Sequence, residues 1–476
     1  MIRFLLNETL VELEDIPSDT TVLDYLRGNS AYNPDRKTGT KEGCCSGDCG
    51  ACTVVLAEPE NDRLNYQTVN TCIALLPSLN GKQLITVEDL AAGEKLHPVQ
   101  QAMVDHHGSQ CGFCTPGIIM SLFAFHHEPS DQRPDVLEAL GGNLCRCTGY
   151  QPIVDAAREI AEMPNTDAFS QQEQTTLQKL EQLREQQDDK AQGVYMPTSE
   201  KDLADYLLKS PNARLLAGGT DLGLEVTQQL KEIPDLVTLA SVEELKELSC
   251  TENEIVIGSA VTYRQIEPLL SQYFPEFSEM LARLGSQQIR NVGTLGGNIG
   301  NASPIGDTPP VLLALDASIE LRKGDRIRTL PLEQFFLGYK KTVLEESEFI
   351  ARIRIPLTKH NLKVYKLSKR YGDDISTVLA AINLELNDRG EITRARVALG
   401  GMAEIPKRAT ACEQALIGQK ADTATLEIAQ QAIRSEFKPL SDVRASSDYR
   451  LQAACNLLER YFLELSGQKA RIIAHA

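Results

Sequence analysis

The sequence has no apolar run that approaches the ~20 consecutive residues a membrane-spanning helix needs. Its first ten residues hold one arginine and a short apolar stretch (Ile2, Phe4 to Leu6), without a signal-type hydrophobic region or cleavage site. Basic charge is in deficit: 48 Lys and Arg stand against 66 Asp and Glu, a formal net charge of −18. Nucleic acids and anionic membranes both call for a basic surface, so neither is expected as a partner. There is no internal repeat. The expectation is a cytoplasmic chain, where disulfides are disfavoured.

Against that background the twelve cysteines need a reason, and tight clusters of them point to metal or redox chemistry. Nine fall between Cys44 and Cys147. Cys250, Cys412 and Cys455 have no cysteine near them and read as small buried core residues. A chain of 476 residues exceeds what one core usually organises, so three or four domains are expected. Residues 1–87 alternate β-rich runs with turns (Ile2–Asn7, Thr9–Leu13, Thr53–Leu56, Leu84–Thr86), with a helix starting near Ser18 or Asp19, a pattern that suits a small β-grasp domain. Residues 88–163 turn helical, with apolar repeats through Val99, Ile118, Val136 and Ile153 that suggest about four short helices. Residues 164–193 are rich in Gln, Glu and Asp and read as a solvated linker, with a short helix possible at Leu177, Leu180 and Leu183. Mixed strand and helix follows over 194–362. Residues 363–476 then hold two strands (Thr377–Leu386, Thr393–Gly400) and helices from Ala409 to the C-terminus.

The first cysteine group is Cys44-x4-Cys49-x2-Cys52 with Cys72 further on, the plant-type [2Fe–2S] ferredoxin spacing. Thiolates on a tight loop converge on one cluster only if the backbone wraps it. Gly43, Gly47 and Gly50 permit that and offer N–H groups to the sulfides. A structural zinc site would favour paired C-x2-C knuckles, which the four-residue gap breaks. Cys45 falls out of register and is left out of the ligand set. The second group is Cys111-x2-Cys114 with Cys145-x-Cys147, a spacing that alone would also suit zinc. The flanking Thr115-Pro116-Gly117 and Gly141-Gly142-Asn143 suggest two helix starts whose N–H dipoles face an anionic centre. His106, His107, His126 and His127 read as residues of solvated helix faces.

Two glycine loops follow. Leu215, Leu216, Ala217, Gly218, Gly219, Thr220, Asp221 and Leu222 form a strand, a Gly turn and a helix start, which would present N–H groups to a pyrophosphate or be an ordinary turn. The loop is not G-x-G-x-x-G, and the Rossmann reading fails. The stretch from Asn291 to Asp307, with Thr294, Leu295, Gly296, Gly297 and Asn298 at its centre, is costly in folding entropy, and such a loop usually persists because something approaches its backbone closely.

The runs GCCSGDCGACTV (43–54), CGFCTPG (111–117) and GGNLCRCTGY (141–150) resemble the two-cluster iron–sulfur part of the molybdenum hydroxylases, and the glycine loops resemble the flavin domain of that family. The resemblance implies a multidomain α+β fold: a β-grasp ferredoxin-type domain (1–87), a four-helix [2Fe–2S]-binding domain (88–163), a PCMH-type FAD-binding domain (194–362) and a C-terminal domain like that of the carbon monoxide dehydrogenase flavoprotein (363–476). It implies that Cys44, Cys49, Cys52 and Cys72 hold one cluster and Cys111, Cys114, Cys145 and Cys147 the other. Gln110 matches a glutamine that bonds the molybdopterin of the partner. Residues 215–222, 294–298 and Asp307 match positions around FAD. Leu284 stands where relatives often have an aromatic residue. Lys366 matches a flavin-contacting lysine within a mobile loop (366–375). Asp373 and Asp374 match an acidic pair near the NAD site, or form a surface turn.

What the resemblance implies about activity is a relay. A molybdenum-binding large subunit, expected as a separate polypeptide, would oxidise hypoxanthine to xanthine and xanthine to urate. The electrons would pass through both clusters to FAD and then to NAD+, within a dimer of heterodimers, and no side chain here need be catalytic toward the purine. The alternatives are a family member acting on an aldehyde or N-heterocycle, and a stand-alone FAD/[2Fe–2S] reductase. The stand-alone reading predicts no large apolar face around residues 110–147.

Overall fold

The computed structural model describes residues 1–28, 33, 35–130, 132–186, 190–358 and 361–468; the C-terminal end of the last expected helical stretch lies outside them. The chain divides into two compact units. The first comprises Met1–Asp202, Asn212–Val242 and Gly285–Gly293, and the second the remainder.

The first unit opens with a five-stranded sheet in the order β2-β1-β5-β3-β4, built from β1 (Ile2–Leu6), β2 (Thr9–Leu13), β3 (Thr53–Glu60), β4 (Arg63–Asn70) and β5 (Gln83–Ile85). The β3–β4 hairpin turns on Asn61 and Asp62, both at positive φ (49° and 62°), the conformation a two-residue hairpin turn asks for and these residue types tolerate. Helix α1 (Val22–Arg27) buries Val22, Tyr25 and Leu26 against Phe4 and Val54. It begins later than expected, capped by Thr21, whose hydroxyl accepts from the Asp24 N–H at 3.0 Å. Ser18 and Asp19 are engaged elsewhere, both bonding the backbone of Ile233. Strand β4 was not expected, because Arg63, Asn65, Gln67 and Asn70 make it look polar.

Four helices follow as the apolar spacing indicates: α2 (Pro98–Asp105), α3 (Thr115–His127), α4 (Val136–Leu140) and α5 (Gln151–Glu162). Residues 164–193 depart from the solvated-linker reading. They contain α6 (Ala168–Glu185), whose Leu177, Leu180 and Leu183 are buried in the same core as Val99, Phe123 and Ile160. Three leucines at helical spacing supply enough apolar stripe to dock an otherwise polar helix. The unit also holds the small sheet β6-β7-β9-β8: β6 (Lys190–Ala191), β7 (Val194–Tyr195), β8 (Arg214–Leu216) and β9 (Leu236–Thr238). The chain crosses to the second unit within α7 (Glu200–Lys209), and α8 (Leu222–Thr227) lies in the first.

In the second unit the antiparallel sheet β10-β11-β16-β12-β13 combines β10 (Leu248–Cys250), β11 (Glu254–Gly258), β12 (Ser318–Lys323), β13 (Arg326–Pro331) and β16 (Phe349–Pro356); β14 (Phe336–Gly338) and β15 (Lys341–Thr342) pair separately. Its core takes in α9 (Tyr263–Tyr273) and α10 (Pro275–Leu281). The one-turn α11 (Gln287–Arg290) falls in the stretch assigned to the first unit, whereas α12 (Leu295–Gly300) and α13 (Thr308–Ala314) return to this core. A second sheet, β17 (Leu362–Leu367), β18 (Val378–Leu386), β19 (Ile392–Gly400) and β20 (Lys407–Arg408), is covered by α14 (Thr410–Leu416), α15 (Thr423–Glu436) and α16 (Ser447–Leu465). Cys412 and Cys455 are buried in that core as expected; Cys250 is exposed, at the end of the edge strand β10.

Candidate cluster and flavin sites

The loop between α1 and β3 carries Cys44, Cys49 and Cys52, and Cys72 follows β4. Cys52 and Cys72 are buried, Cys44 and Cys49 half-buried. The four thiols form a string of contacts: Cys44 touches Cys49 and Cys72, and Cys72 touches Cys52. Hydrogen bonds from Cys49 and Cys72 hold the Cys44 thiol well below the usual thiol range. The N–H groups of Ser46 and Cys49 both donate to Cys44 Sγ at 3.4 Å. Gly47 and Gly50 sit at positive φ (78° and 69°), as a loop wrapping a central group requires. Cys45 is turned away, its thiol donating to Glu42 Oε1 at 3.4 Å and pushed up to about 11 by burial and by Glu42.

The second quartet lies at the start of α3 and after α4. Cys114 is the N-cap of α3, Cys111 and Cys147 are exposed, and contacts pair Cys111 with Cys147 and Cys114 with Cys145. The Phe113 N–H, then the Cys147 thiol, lower Cys111. Burial raises Cys145, but hydrogen bonds from Thr148 outweigh it and leave the thiol low. Thr115 begins a helix as expected. Gly141-Gly142-Asn143 does not, because it closes α4 at its C-cap Gly141. Gln110 is exposed beside Cys111.

Among the described residues no three His, Cys, Asp or Glu side chains are grouped for a single metal ion. Thiols in contacting strings and pairs, with backbone N–H groups aimed at sulfur, instead suit [2Fe–2S] clusters, whose irons share four thiolates. The two cluster loops meet. Leu144 N–H donates to Cys49 O at 3.0 Å, and Asn143 Nδ2 to Gly50 O at 3.1 Å. A Cβ on Gly50 would lie 2.0 Å from Gly142 O, and one on Gly117 would lie 2.1 Å from Gly50 O, so this seam admits only glycine.

The histidines are not on solvated faces, apart from the exposed His107 and the half-exposed His106, which pairs with Glu159. His97 Nε2 lies 2.7 Å and His127 Nε2 3.1 Å from Asp167 Oδ2, all three side chains buried. His126 is buried too and is lowered to about 4, by desolvation first and then by His127. Asp167, the N-cap of α6, supplied no signal in the sequence that could have found this trio.

The two glycine loops fall in different units. In the first unit, Ala217 to Thr220 are half-buried, Gly219 has φ 73°, and among the described residues the N–H groups of Gly218, Gly219 and Thr220 donate to no protein acceptor. Adjacent unpaired N–H groups at an accessible turn are what an anionic phosphate needs. Helix α8, next in the chain, grips the first cluster loop, with Thr227 Oγ1 and Gln228 Nε2 both 2.8 Å from Cys45 O. In the second unit, Thr294 caps α12 through Gly297 N–H at 3.1 Å, and the Leu295 and Gly296 N–H groups bond Val261 O and Ser259 O. There the close approach to glycine is made by the protein's own backbone just after β11: a Cβ on Gly296 would lie 2.5 Å from Ser259. Asp307 is buried, 2.7 Å from Lys366 Nζ and 2.6 Å from Ser376 Oγ. Lys366 belongs to β17 and not to a loop. Asp374 closes a turn on the Arg370 N–H (2.9 Å) and guanidinium, as a surface turn would. Leu284 is half-buried at the edge of the second unit's core.

Four family models match in succession: the 2Fe-2S iron-sulfur cluster binding domain over 4–76, the [2Fe-2S] binding domain over 86–158, the FAD binding domain in molybdopterin dehydrogenase over 187–358, and the CO dehydrogenase flavoprotein C-terminal domain over 363–465. The fold and these matches define an iron–sulfur flavoprotein that transfers electrons, and the chain belongs to the molybdenum hydroxylase family as its iron–sulfur and FAD portion. Among curated relatives, the xanthine dehydrogenase of Emericella nidulans is 32% identical over 98% of this chain and 39% of its own length. Xanthine dehydrogenase 1 of Arabidopsis thaliana is 30% identical over 95% and 39%. The chain thus spans about two fifths of the length of the relatives it matches. Among solved structures, quinoline 2-oxidoreductase from Pseudomonas putida 86 is 28% identical, covering 59% of this chain and 99% of that one, with a TM-score of 0.54. The carbon monoxide dehydrogenase of Hydrogenophaga pseudoflava is 27% identical, covering 56% and 94%, with a TM-score of 0.53.

Proposed function

We propose that this chain is the small, electron-transferring subunit of a xanthine dehydrogenase. In this reading it carries electrons from a molybdenum cofactor on a partner subunit, through two [2Fe–2S] clusters and FAD, to NAD+, as hypoxanthine becomes xanthine and xanthine becomes urate. The observation that carries the reading is the bonded seam between two cysteine quartets, Leu144 N–H on Cys49 O at 3.0 Å, in one unit with the open N–H turn at 218–220. When bound, the clusters and flavin supply the one- and two-electron chemistry. The residues of this chain set spacing, exposure and bonding. Cys44, Cys49, Cys52 and Cys72 would hold the sheltered cluster. Cys111, Cys114, Cys145 and Cys147 would hold the exposed one, with Gln110 turned to the partner's pterin. Residues 215–222 and 294–298, with Asp307 and Lys366, would hold FAD.

Cys111 and Cys147 are exposed, as are Phe113 and Leu144 next to cysteines of this quartet in the chain, and Val104 and Leu137 on α2 and α4 are exposed too; these apolar side chains suit a docking partner and argue against a stand-alone reductase. A dimer of heterodimers in a cytoplasmic setting completes the proposal. The likeness to quinoline 2-oxidoreductase favours a second reading, a family member acting on another N-heterocycle. The partner chain decides between them. The test is NADH formation by the chain co-purified with its native partner and given hypoxanthine. Prompt NADH formation that is lost in Cys114→Ser is expected. Its absence with iron, flavin and molybdenum at full occupancy would overturn the purine assignment.

A further inference from the structure

The stretch Gly285–Gly293 stands between two portions of the second unit in the sequence yet belongs to the first. Two of its side chains tie it to single elements: Arg290 reaches Glu138 of α4 at 2.6 Å, and Asn291 reaches Thr68 of β4 at 2.9 Å. Gln288 does something else. Its side chain is buried, and its Nε2 lies 3.2 Å from Thr53 Oγ1, 3.2 Å from Asn143 Oδ1 and 3.4 Å from Ser121 Oγ. An amide has two N–H protons to give. Thr53 Oγ1 and Ser121 Oγ each donate elsewhere, to Gly50 O at 2.7 Å and Asn143 Oδ1 at 2.6 Å, and keep lone pairs for the amide; of its three acceptors, Thr53 and Asn143 are the shorter pair. Thr53 follows Cys52 in the chain, and Asn143 stands two residues before Cys145. One buried amide therefore bridges a neighbour of a ligand in each quartet. The fit is tight, since a Cβ on Gly142 would come within 2.0 Å of Gln288 Oε1.

We propose that Gln288 is a positioning residue that sets the separation of the two cluster loops, and with it the distance electrons cross between clusters. The inference rests on the reading that the two quartets hold [2Fe–2S] clusters. Removing the donor leaves the acceptors Thr53 Oγ1 and Asn143 Oδ1 each one bond short in a buried seam, and the loops then keep only their direct bonds, among them Asn143 Nδ2 to Thr53 Oγ1 at 3.3 Å and to Gly50 O at 3.1 Å.

The test is electron paramagnetic resonance on the full-length chain, iron-loaded and reduced with dithionite. Two coupled cluster spins split each other's signals by an amount that falls with the cube of their separation. Gln288→Met, close in volume but without the amide, is expected to keep both signals and full iron while the splitting narrows or disappears. Gln288→Asn, which retains the amide one methylene short, should fall between that variant and the parent chain. Arg290→Met removes the ion pair to Glu138 of α4 from the same stretch while keeping the Gln288 amide, and should keep the parent splitting. The proposal is overturned if iron-loaded Q288M keeps the parent splitting, or if R290M changes it equally. Where Q288M does not load iron, Q288N against R290M decides in the same way. A parent chain with fewer than two cluster signals would instead refute the cluster reading itself.

Discussion

At the scale of the residue, Cys44 and Cys45 are adjacent in the chain and point to different fates. Cys44 touches Cys49 and Cys72, whereas Cys45, at φ 53°, faces Glu42. Cys72→Ser is expected to lose one of the two cluster signals and about half of the chain's iron, with Cys45→Ser retaining both. Iron analysis with spectroscopy of the reduced chain checks this, and loss of a cluster in C45S would move the ligand set. The buried Lys366–Asp307 pair invites a second substitution. Asp307→Asn would leave a lysine inside the protein with only Arg283 O at 2.9 Å and a neutral amide beside it. Breaking such a pair from one side costs about 3–5 kcal/mol. D307N should therefore purify with less flavin and melt earlier, and parent-like flavin content with a parent-like melt would remove Asp307 from the site. The ligating cysteines were legible because their spacing is itself the chemistry. Gln288 and Asp167 were not, because each acts through partners far off in the chain that only the fold brings near.

At the scale of the element, α6 shows how a polar helix is held. Its Leu177, Leu180 and Leu183 are buried, and its N-cap Asp167 takes His97 and His127. The groups facing this trio are His126 on α3, Tyr66 on β4 and, near Tyr66, Glu173 on α6 itself. His126 falls from 6.5 to about 4 on folding, because desolvation, then His127, disfavours its charge. The unfolded chain consequently binds a proton that the folded one refuses. That stabilisation is complete above pH 6.5 and is lost as pH falls from there toward 4, roughly 3 kcal/mol at most. Asp167 adds loss at lower pH. Burial raises it, but the hydrogen bonds from His127 and His97 prevail and leave it depressed, so its contribution fades below the ordinary carboxylate range near ~4. The melting temperature should thus decline between pH 7 and 4.5, and His126→Phe should flatten the decline; a slope identical in parent and H126F would dismiss the mechanism. The solvated-linker reading of 164–193 allowed a short helix at Leu177, Leu180 and Leu183 but missed its length and its docking, because composition weighs all residues alike, whereas docking depends on one stripe of three leucines. Strand β4 was missed for the reverse reason. Its Thr68 and Asn70 are polar yet buried, satisfied by Asn291 on one side and by Gly47 O on the other.

At the scale of the whole molecule, burial differs sharply between the quartets. Cys52 and Cys72 are each 2% exposed, while Cys111 and Cys147 are exposed, as are Phe113 (49%) and Leu144 (54%) next to cysteines of that quartet in the chain and Leu137 (65%) on α4. A chain with a net charge of −18 has charge enough to cover its surface, and uncovered apolar side chains beside a redox group suggest a face made to be closed by another polypeptide. Leu137 offers the cleanest probe, since it lies on α4, is not adjacent to a ligating cysteine and is mostly exposed. Leu137→Glu puts a charge into the proposed contact, where it would be desolvated without a partner. Hot positions in protein interfaces are worth 2 kcal/mol or more, or about thirtyfold in affinity. The variant should keep both cluster signals and its flavin, yet recover much less molybdenum subunit on co-purification and turn over hypoxanthine in proportion to what it recovers. Intact clusters with undiminished recovery of the partner would place the docking face elsewhere on the chain. Lost clusters would show that Leu137 holds the fold and not the interface.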